Sequence, residues 1–113
     1  MVSEEEARAL ALAMPGAEER SHFGTADFRV RNKVFATLPA ADRMVVRIEP
    51  GVQTVLLAAD PAVFSGAAGA WGLKGWTIVQ LAGVDREALA DLIADSWRRL
   101  AAKKDVAAYD SMD

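Results

Sequence analysis

The spacing of apolar residues predicts helices near both ends of the chain and a series of strands between them. Close to the N-terminus, apolar positions from Ala7 to Met14 recur every three to four residues, as on one face of a helix. Ser3 and Glu6 before them match a capping box, in which both side chains accept hydrogen bonds from backbone N–H groups of the first turn. We therefore expect a first helix over residues 4–14.

The apolar period shortens to two residues after the first helix. Apolar and charged residues alternate in Phe28-Arg29-Val30-Arg31, as a half-buried strand requires. Short turns, one of them at Asn32-Lys33, separate successive apolar runs, and such turns favour antiparallel pairing of neighbouring strands. The expected strands cover residues 18–23, 28–31, 34–38, 43–48 and, after a second helix, 76–81.

Two more helices are predicted on either side of a glycine-rich stretch. Pro50 falls in the first turn of a helix over residues 50–59, where its missing N–H is harmless. Asp85 is a suitable N-cap for a last helix. Residues 65–75 are expected to form a loop and residues 105–113 a frayed tail. The apolar stripe of the second helix is expected to consist of Val52, Val55, Leu56 and Ala59.

The order of these elements, α-β-β-β-β-α-β-α, predicts an α+β two-layer sandwich. One sheet of about five mostly antiparallel strands should carry the three helices on one face. The other face of such a sheet is often exposed to solvent. A chain of 113 residues is expected to form a single domain over residues 1–113.

Composition narrows the class of protein. The chain has no cysteine, which excludes disulfides, thiolate nucleophiles and cysteine metal sites. No apolar run approaches the roughly 18 residues of a membrane-spanning helix. The acidic start Glu4-Glu5-Glu6 is unlike the basic start of a signal peptide. We expect a cytoplasmic protein without a metal, a cofactor or membrane association.

Charge is unevenly distributed along a chain whose net charge is −3. The segment from Arg20 to Arg47 holds six basic residues against two acidic ones, whereas the rest of the chain is acidic. Strand alternation should gather the basic side chains on the open face of the sheet, where guanidinium and ammonium groups could bind an anion. An ordinary solvated sheet face is the alternative. The candidate anion-binding residues are Arg29, Arg31, Lys33, Arg47 and Lys74.

A second candidate site combines His22 with the tryptophans Trp71 and Trp76, which flank the glycine-rich stretch. This stretch lacks the glycine patterns of nucleotide-binding loops. An exposed tryptophan beside Lys74 would suit stacking on a base or anchoring an interface. The alternative places Trp76 in the core, Trp71 over the sheet edge and His22 at the surface. No nucleophile–base pair is recognisable, so we expect no catalytic activity.

Five segments of the chain, taken in order, carry a family resemblance: Met14 to Glu19, His22-Phe23-Gly24, Asp27 to Ala36, Asp60-Pro61 with Phe64, and Trp71 to Trp76. Together they resemble the MmcQ/YjbR family of small bacterial proteins. The resemblance extends over residues 6–101 and implies a YjbR-like fold, related to the CyaY-like or secretion-chaperone-like arrangement. It also implies the description "DNA-binding protein" that the family often carries.

The expected function is therefore DNA binding of the MmcQ/YjbR type, without catalysis, through the basic sheet face. A sequence pI near 5.1 argues that such binding would be weak and strongly salt-dependent. A protein-interaction or chaperone-like module and a small-ligand binder are the alternatives. A cleft lined by His22, Trp71 and Trp76 would favour a small ligand.

Overall fold

An antiparallel sheet with the strand order β1-β2-β3-β4-β6-β5 is the frame of the protein in the computed structural model, which describes residues 1–112. Consecutive strands from β1 to β4 pair as hairpins, and β6 then pairs with both β4 and β5. The elements in chain order are α1 (Glu4–Leu12), β1 (Glu18–His22), β2 (Thr25–Val30), β3 (Lys33–Ala40), β4 (Arg43–Arg47), α2 (Pro50–Ala59), β5 (Phe64–Gly66), α3 (Ala70–Leu73), β6 (Trp76–Gln80), α4 (Arg86–Arg98) and α5 (Lys103–Asp110).

The hydrophobic core lies between one face of this sheet and the helices α1 and α4, as the two-layer prediction requires. The Trp97 side chain of α4 is fully buried, and its indole N–H donates to the carbonyl of Pro15 at 2.9 Å. That bond satisfies the polar atom of a ring that is otherwise surrounded by apolar groups. The largest fully buried side chains include Phe28, Phe35 and Met44 from the sheet and Leu89, Ile93 and Trp97 from α4.

Local signals at the helix starts are confirmed. The Ser3 hydroxyl accepts from the Glu6 N–H and the Glu6 carboxylate accepts from the Ser3 N–H, which completes the predicted capping box. The Asp85 carboxylate accepts from the Ala88 N–H at 2.8 Å, so it caps α4. Each cap satisfies backbone donors that have no partner within the helix.

Within the described residues, the structure has six strands and five helices, where about five strands and three helices were predicted. Phe64–Gly66 pairs with β6 as a sixth strand, and Ala70–Leu73 forms a helical turn, although residues 65–75 were expected to be a loop. The frayed tail predicted for residues 105–113 is wrong over residues 105–110, which belong to the helix Lys103–Asp110, and residue 113 lies outside the described residues. Tyr109 of this helix packs on Trp97 with ring centroids 5.3 Å apart, and Arg98 pairs with Asp110 at 2.6 Å.

The predicted apolar stripe of α2 is wrong at Val52, Val55 and Ala59, which are exposed, whereas Leu56 is half-buried against the core. Val55 is 64% exposed, whereas the polar residue Gln53 is buried. The Gln53 amide donates to the Thr77 hydroxyl at 3.0 Å and to the Trp76 carbonyl at 3.2 Å. These bonds draw a polar position inward, because a buried amide group needs partners.

Among the helices of residues 1–112, none is both long and apolar enough to cross a membrane.

Candidate ligand-binding groove

The face of the sheet opposite α1 and α4 carries a groove of about 290 Å³. Thr37 lies opposite Val45 in the β3–β4 register and opposite Asp27 in the β2–β3 register, so all three side chains belong to this open face. The segment that contains α3 closes one end of the groove. The groove is lined by His22, Val34, Thr37, Val45, Ala67, Trp71 and Trp76.

Two tryptophans form one wall of the groove. The Trp71 and Trp76 rings meet edge to face, with centroids 6.3 Å apart and an interplanar angle of 73°. Trp71 is 63% exposed, and the Lys74 ammonium lies 5.8 Å from its ring centroid. An exposed indole beside a cation offers a flat surface for a planar, electron-rich or anionic ligand.

Two glycines, Gly72 and Gly75, allow close backbone contacts that hold the tryptophan wall in position. A Cβ atom on Gly72 would collide with the Ala67 carbonyl, so glycine lets the α3 turn pack on the preceding loop. Gly75 has φ +102°, and a Cβ there would collide with the Ile48 carbonyl. Only glycine combines that backbone conformation with the space available, which is why the glycine-rich stretch holds a defined shape.

A polar network built on Asp27 lies next to the groove. Its side chain is fully buried and accepts from Arg29 at 2.8 and 3.1 Å and from the His22 ring at 2.7 Å. The hydrogen bonds from Arg29, and then that from His22, hold the pKa of the Asp27 carboxyl below its usual value against the opposing effect of burial.

The state of Asp27 determines which histidine nitrogen is available to a ligand. An ionised carboxylate can only accept, so Nδ1 of His22 carries the hydrogen that it donates to Asp27. Nε2 is then the ring nitrogen that remains for a ligand in the groove that His22 lines. A buried carboxylate that orients a half-exposed histidine, together with the Thr37 hydroxyl, gives the mainly apolar groove polar contact points.

Part of the predicted basic set lies on the open face. Arg47 is opposite Trp76 in the β4–β6 register, and its Nε donates to the Lys74 carbonyl at 3.2 Å. Arg43 shares the parity of Arg47 and is exposed. Arg29 lies on this face too, but its charge is engaged by Asp27. The cations next to the tryptophan wall are therefore Arg47 and Lys74, with Arg43 further along β4.

Two of the predicted basic residues are on the other side of the sheet. Val30 and Lys33 form the closing pair of the β2–β3 hairpin, so the turn consists of Arg31 and Asn32 and not of Asn32-Lys33. Arg31 has φ +54°, and its guanidinium donates to the Leu100 carbonyl at 3.4 Å, on the helix side. Lys33 pairs with Val30, whose side chain is buried in the core, so Lys33 begins β3 on the helix face.

His22, Trp71 and Trp76 are brought together in one groove, although they come from β1, α3 and β6. Sequence reasoning assigned no functional role to Asp27, Thr37 or Phe23. Asp27 could have been found because its strand parity matches that of Arg29. The position of Thr37 depends on strand register, which no residue of β3 reveals locally.

The fold is that of a small α+β protein with helices on one face of an antiparallel sheet and a groove on the other. The YjbR family model matches residues 12–99, and the chain belongs to this family. Among solved structures, Deinococcus radiodurans protein DR2400, described with the family domain DUF419, matches with a TM-score of 0.76 and 22% identity. The match covers 86% of this chain and 77% of that one, and it shows the fold. No curated protein matches the chain.

Proposed function

We propose that this chain is a non-catalytic binding protein that takes single-stranded DNA on the open face of its sheet, with one unstacked base in the groove. The observation that carries the proposal is the exposed Trp71 ring with the Lys74 ammonium beside it. Stacking of a base on an aromatic side chain contributes about 1–3 kcal/mol and tolerates any base.

The dimensions of the groove favour a single ring system. Its volume of about 290 Å³ lies near the lower limit of the range of roughly 300–1,000 Å³ that is typical of ligand pockets. One base between the Trp71 wall and His22 would leave its sugar and phosphates outside the groove. Arg47 and Lys74 beside the tryptophan wall, and Arg43 further along β4, would bind those phosphates.

Single strands suit this surface better than duplex DNA. Base faces are stacked inside a duplex and cannot reach Trp71, whereas single-strand recognition on a sheet face exposes them to aromatic side chains. Three phosphate contacts predict a salt slope of about −2, so affinity should fall about 20-fold between about 50 and 200 mM salt. The acidic net charge of the chain is consistent with modest affinity.

The second candidate ligand is a small planar molecule. The cleft of His22, Trp71 and Trp76 is the feature that would favour such a ligand, and its walls are mainly apolar. His22, through Nε2, and the Thr37 hydroxyl would supply directional polar contacts. This candidate needs neither Arg43 nor Arg47, so replacing these two arginines separates it from the first.

The proposal can be tested by fluorescence anisotropy with a labelled oligonucleotide, single-stranded or annealed, at both salt concentrations. Trp71→Ala should weaken single-strand binding by about 5- to 150-fold, which corresponds to the loss of one stacked base. Val55→Ala removes an equally exposed apolar side chain from α2 and should leave binding unchanged. Equal affinity for duplex and single strand, or unaltered binding by the Trp71 variant, would contradict the proposal.

A further inference from the structure

Phe23, at the tip of the β1–β2 hairpin, has a backbone conformation that is unfavourable for an aromatic residue. His22 and Thr25 form the closing pair, so the turn consists of Phe23 and Gly24, with φ +50° and +79°. Turns with two positive φ values favour Asn-Gly, because a Cβ-bearing residue without a short polar side chain is strained there. Phe23 is therefore a poor choice for the turn itself.

Burial in the described chain does not compensate for this strain. Phe23 is 104% exposed, so its ring is as accessible as in an isolated peptide. The aromatic neighbour is His22, whose ring meets that of Phe23 edge on at 6.4 Å with an interplanar angle of 87°. A strained and fully exposed aromatic ring is the kind of feature that binding sites retain against a stability cost.

The position of Phe23 links it to the groove. His22 lines the groove, and the Phe23 ring lies next to the His22 ring at the tip of the β1–β2 hairpin. Trp71, 63% exposed, belongs to the α3 segment and to the tryptophan wall. The open face thus presents two accessible aromatic rings, one on each of two segments that border the same groove.

We propose that Phe23 is a second stacking platform, which takes the base adjacent to the one held in the groove. The proposal rests on the proposed function and names the ligand more closely: a strand with at least two neighbouring unstacked bases, rather than a mononucleotide. A mononucleotide would fill the groove alone and would not reach the Phe23 ring.

Phe23→Asn tests this directly, because asparagine suits the turn but has no ring to stack. The variant should be at least as stable as the wild type in urea unfolding. It should bind a short thymidine oligonucleotide about 5- to 150-fold more weakly and thymidine monophosphate with unchanged affinity. Phe23→Trp keeps a stacking ring and should retain oligonucleotide binding.

The possible outcomes separate the two proposals. If the wild type binds neither ligand, single-strand binding itself is refuted, and the second platform with it. If the wild type binds the oligonucleotide and the Phe23→Asn variant binds it equally well, only the second platform is refuted. Equal losses for oligonucleotide and monophosphate would also overturn it, because Phe23 would then be shaping the groove instead of adding a base contact.

Discussion

Replacing Asp27 by asparagine keeps the shape of the side chain but removes the charge at the centre of the network beside the groove. The carboxylate accepts three hydrogen bonds, two from Arg29 and one from His22. An amide has one acceptor, and in either orientation its NH2 group would face a donor of Arg29. At least one buried polar contact is therefore lost and replaced by an unfavourable one.

The magnitude follows from the exposure of the three groups. Losing a buried partner of a charged group costs about 3–5 kcal/mol when both groups are buried. Asp27 is fully buried, but the Arg29 and His22 side chains are 22% and 45% exposed, so water can solvate them in part. We expect Asp27→Asn to lower the free energy of unfolding by about 2–3 kcal/mol, a fall in Tm of about 8–12 °C for a chain of this size.

The effect should depend on pH in a defined direction. Because the folded-state pKa of Asp27 is lowered, its contribution is complete above the unfolded pKa of about 3.9 and is lost as pH falls through the folded value. The stability difference between wild type and variant should be constant near neutral pH and shrink below about pH 4.

Urea unfolding monitored by tryptophan fluorescence, repeated across pH, measures this difference. Asp91→Asn alters an exposed aspartate on α4 and is the matched control, with an expected change within about 0.5 kcal/mol. A loss below about 0.5 kcal/mol for the Asp27 variant would refute the reasoning. So would a difference that stays constant into acid.

Two further substitutions test the frame of the groove and the helical tail. Gly75→Ala should lower the free energy of unfolding by more than about 1 kcal/mol, because Gly75 has a positive φ and lies close to the Ile48 carbonyl. The control is Gly51→Ala on α2, which should be neutral or slightly stabilising in the same urea unfolding series. Equal effects of the two substitutions would contradict the prediction of strain at position 75. Deleting residues 103–113 should expose the Trp97 ring, because Tyr109 packs on it. The free energy of unfolding should fall by about 1–3 kcal/mol, and tryptophan fluorescence emission should shift to longer wavelength. An unchanged emission maximum would show that the tail does not cover Trp97.

Local signals predicted much of the architecture. The capping box of α1, the Asp85 cap of α4 and the alternation in β2 each depend on neighbours in sequence, and the structure has all of them. The sheet with helices on one face and the YjbR family follow from these elements and the matching segments. Such features are readable because a cap or a two-residue period is set within a few residues.

Features that depend on tertiary contacts were not predicted. β5 has three residues, too few to show a period, and it forms because β6 offers a pairing edge. α5 has a weak apolar stripe and is held by Trp97 and Arg98 from another helix. α2 turns Gln53 inward for its bonds at β6, which a search for apolar periodicity cannot find.

The sequence predicted several residues of the candidate site correctly, but not how they are placed on the two faces of the sheet. His22, Trp71 and Trp76 do lie together, but the basic set is divided because the β2–β3 turn falls at Arg31, one residue earlier than expected. Arg31 is therefore a turn residue, and Lys33, which was expected in the turn, pairs with Val30 at the start of β3 on the helix side.

The central claim is that the groove on the open face is the binding surface. The most direct test is a two-dimensional NMR titration of the labelled protein with a short single-stranded thymidine oligonucleotide. Binding in the groove should produce the largest chemical-shift changes at the indole N–H signals of Trp71 and Trp76 and at the backbone signals of Thr37 and Val45. The indole signal of the buried Trp97 should change little. Shifts confined to the helix layer, or no shifts at saturating oligonucleotide, would contradict it.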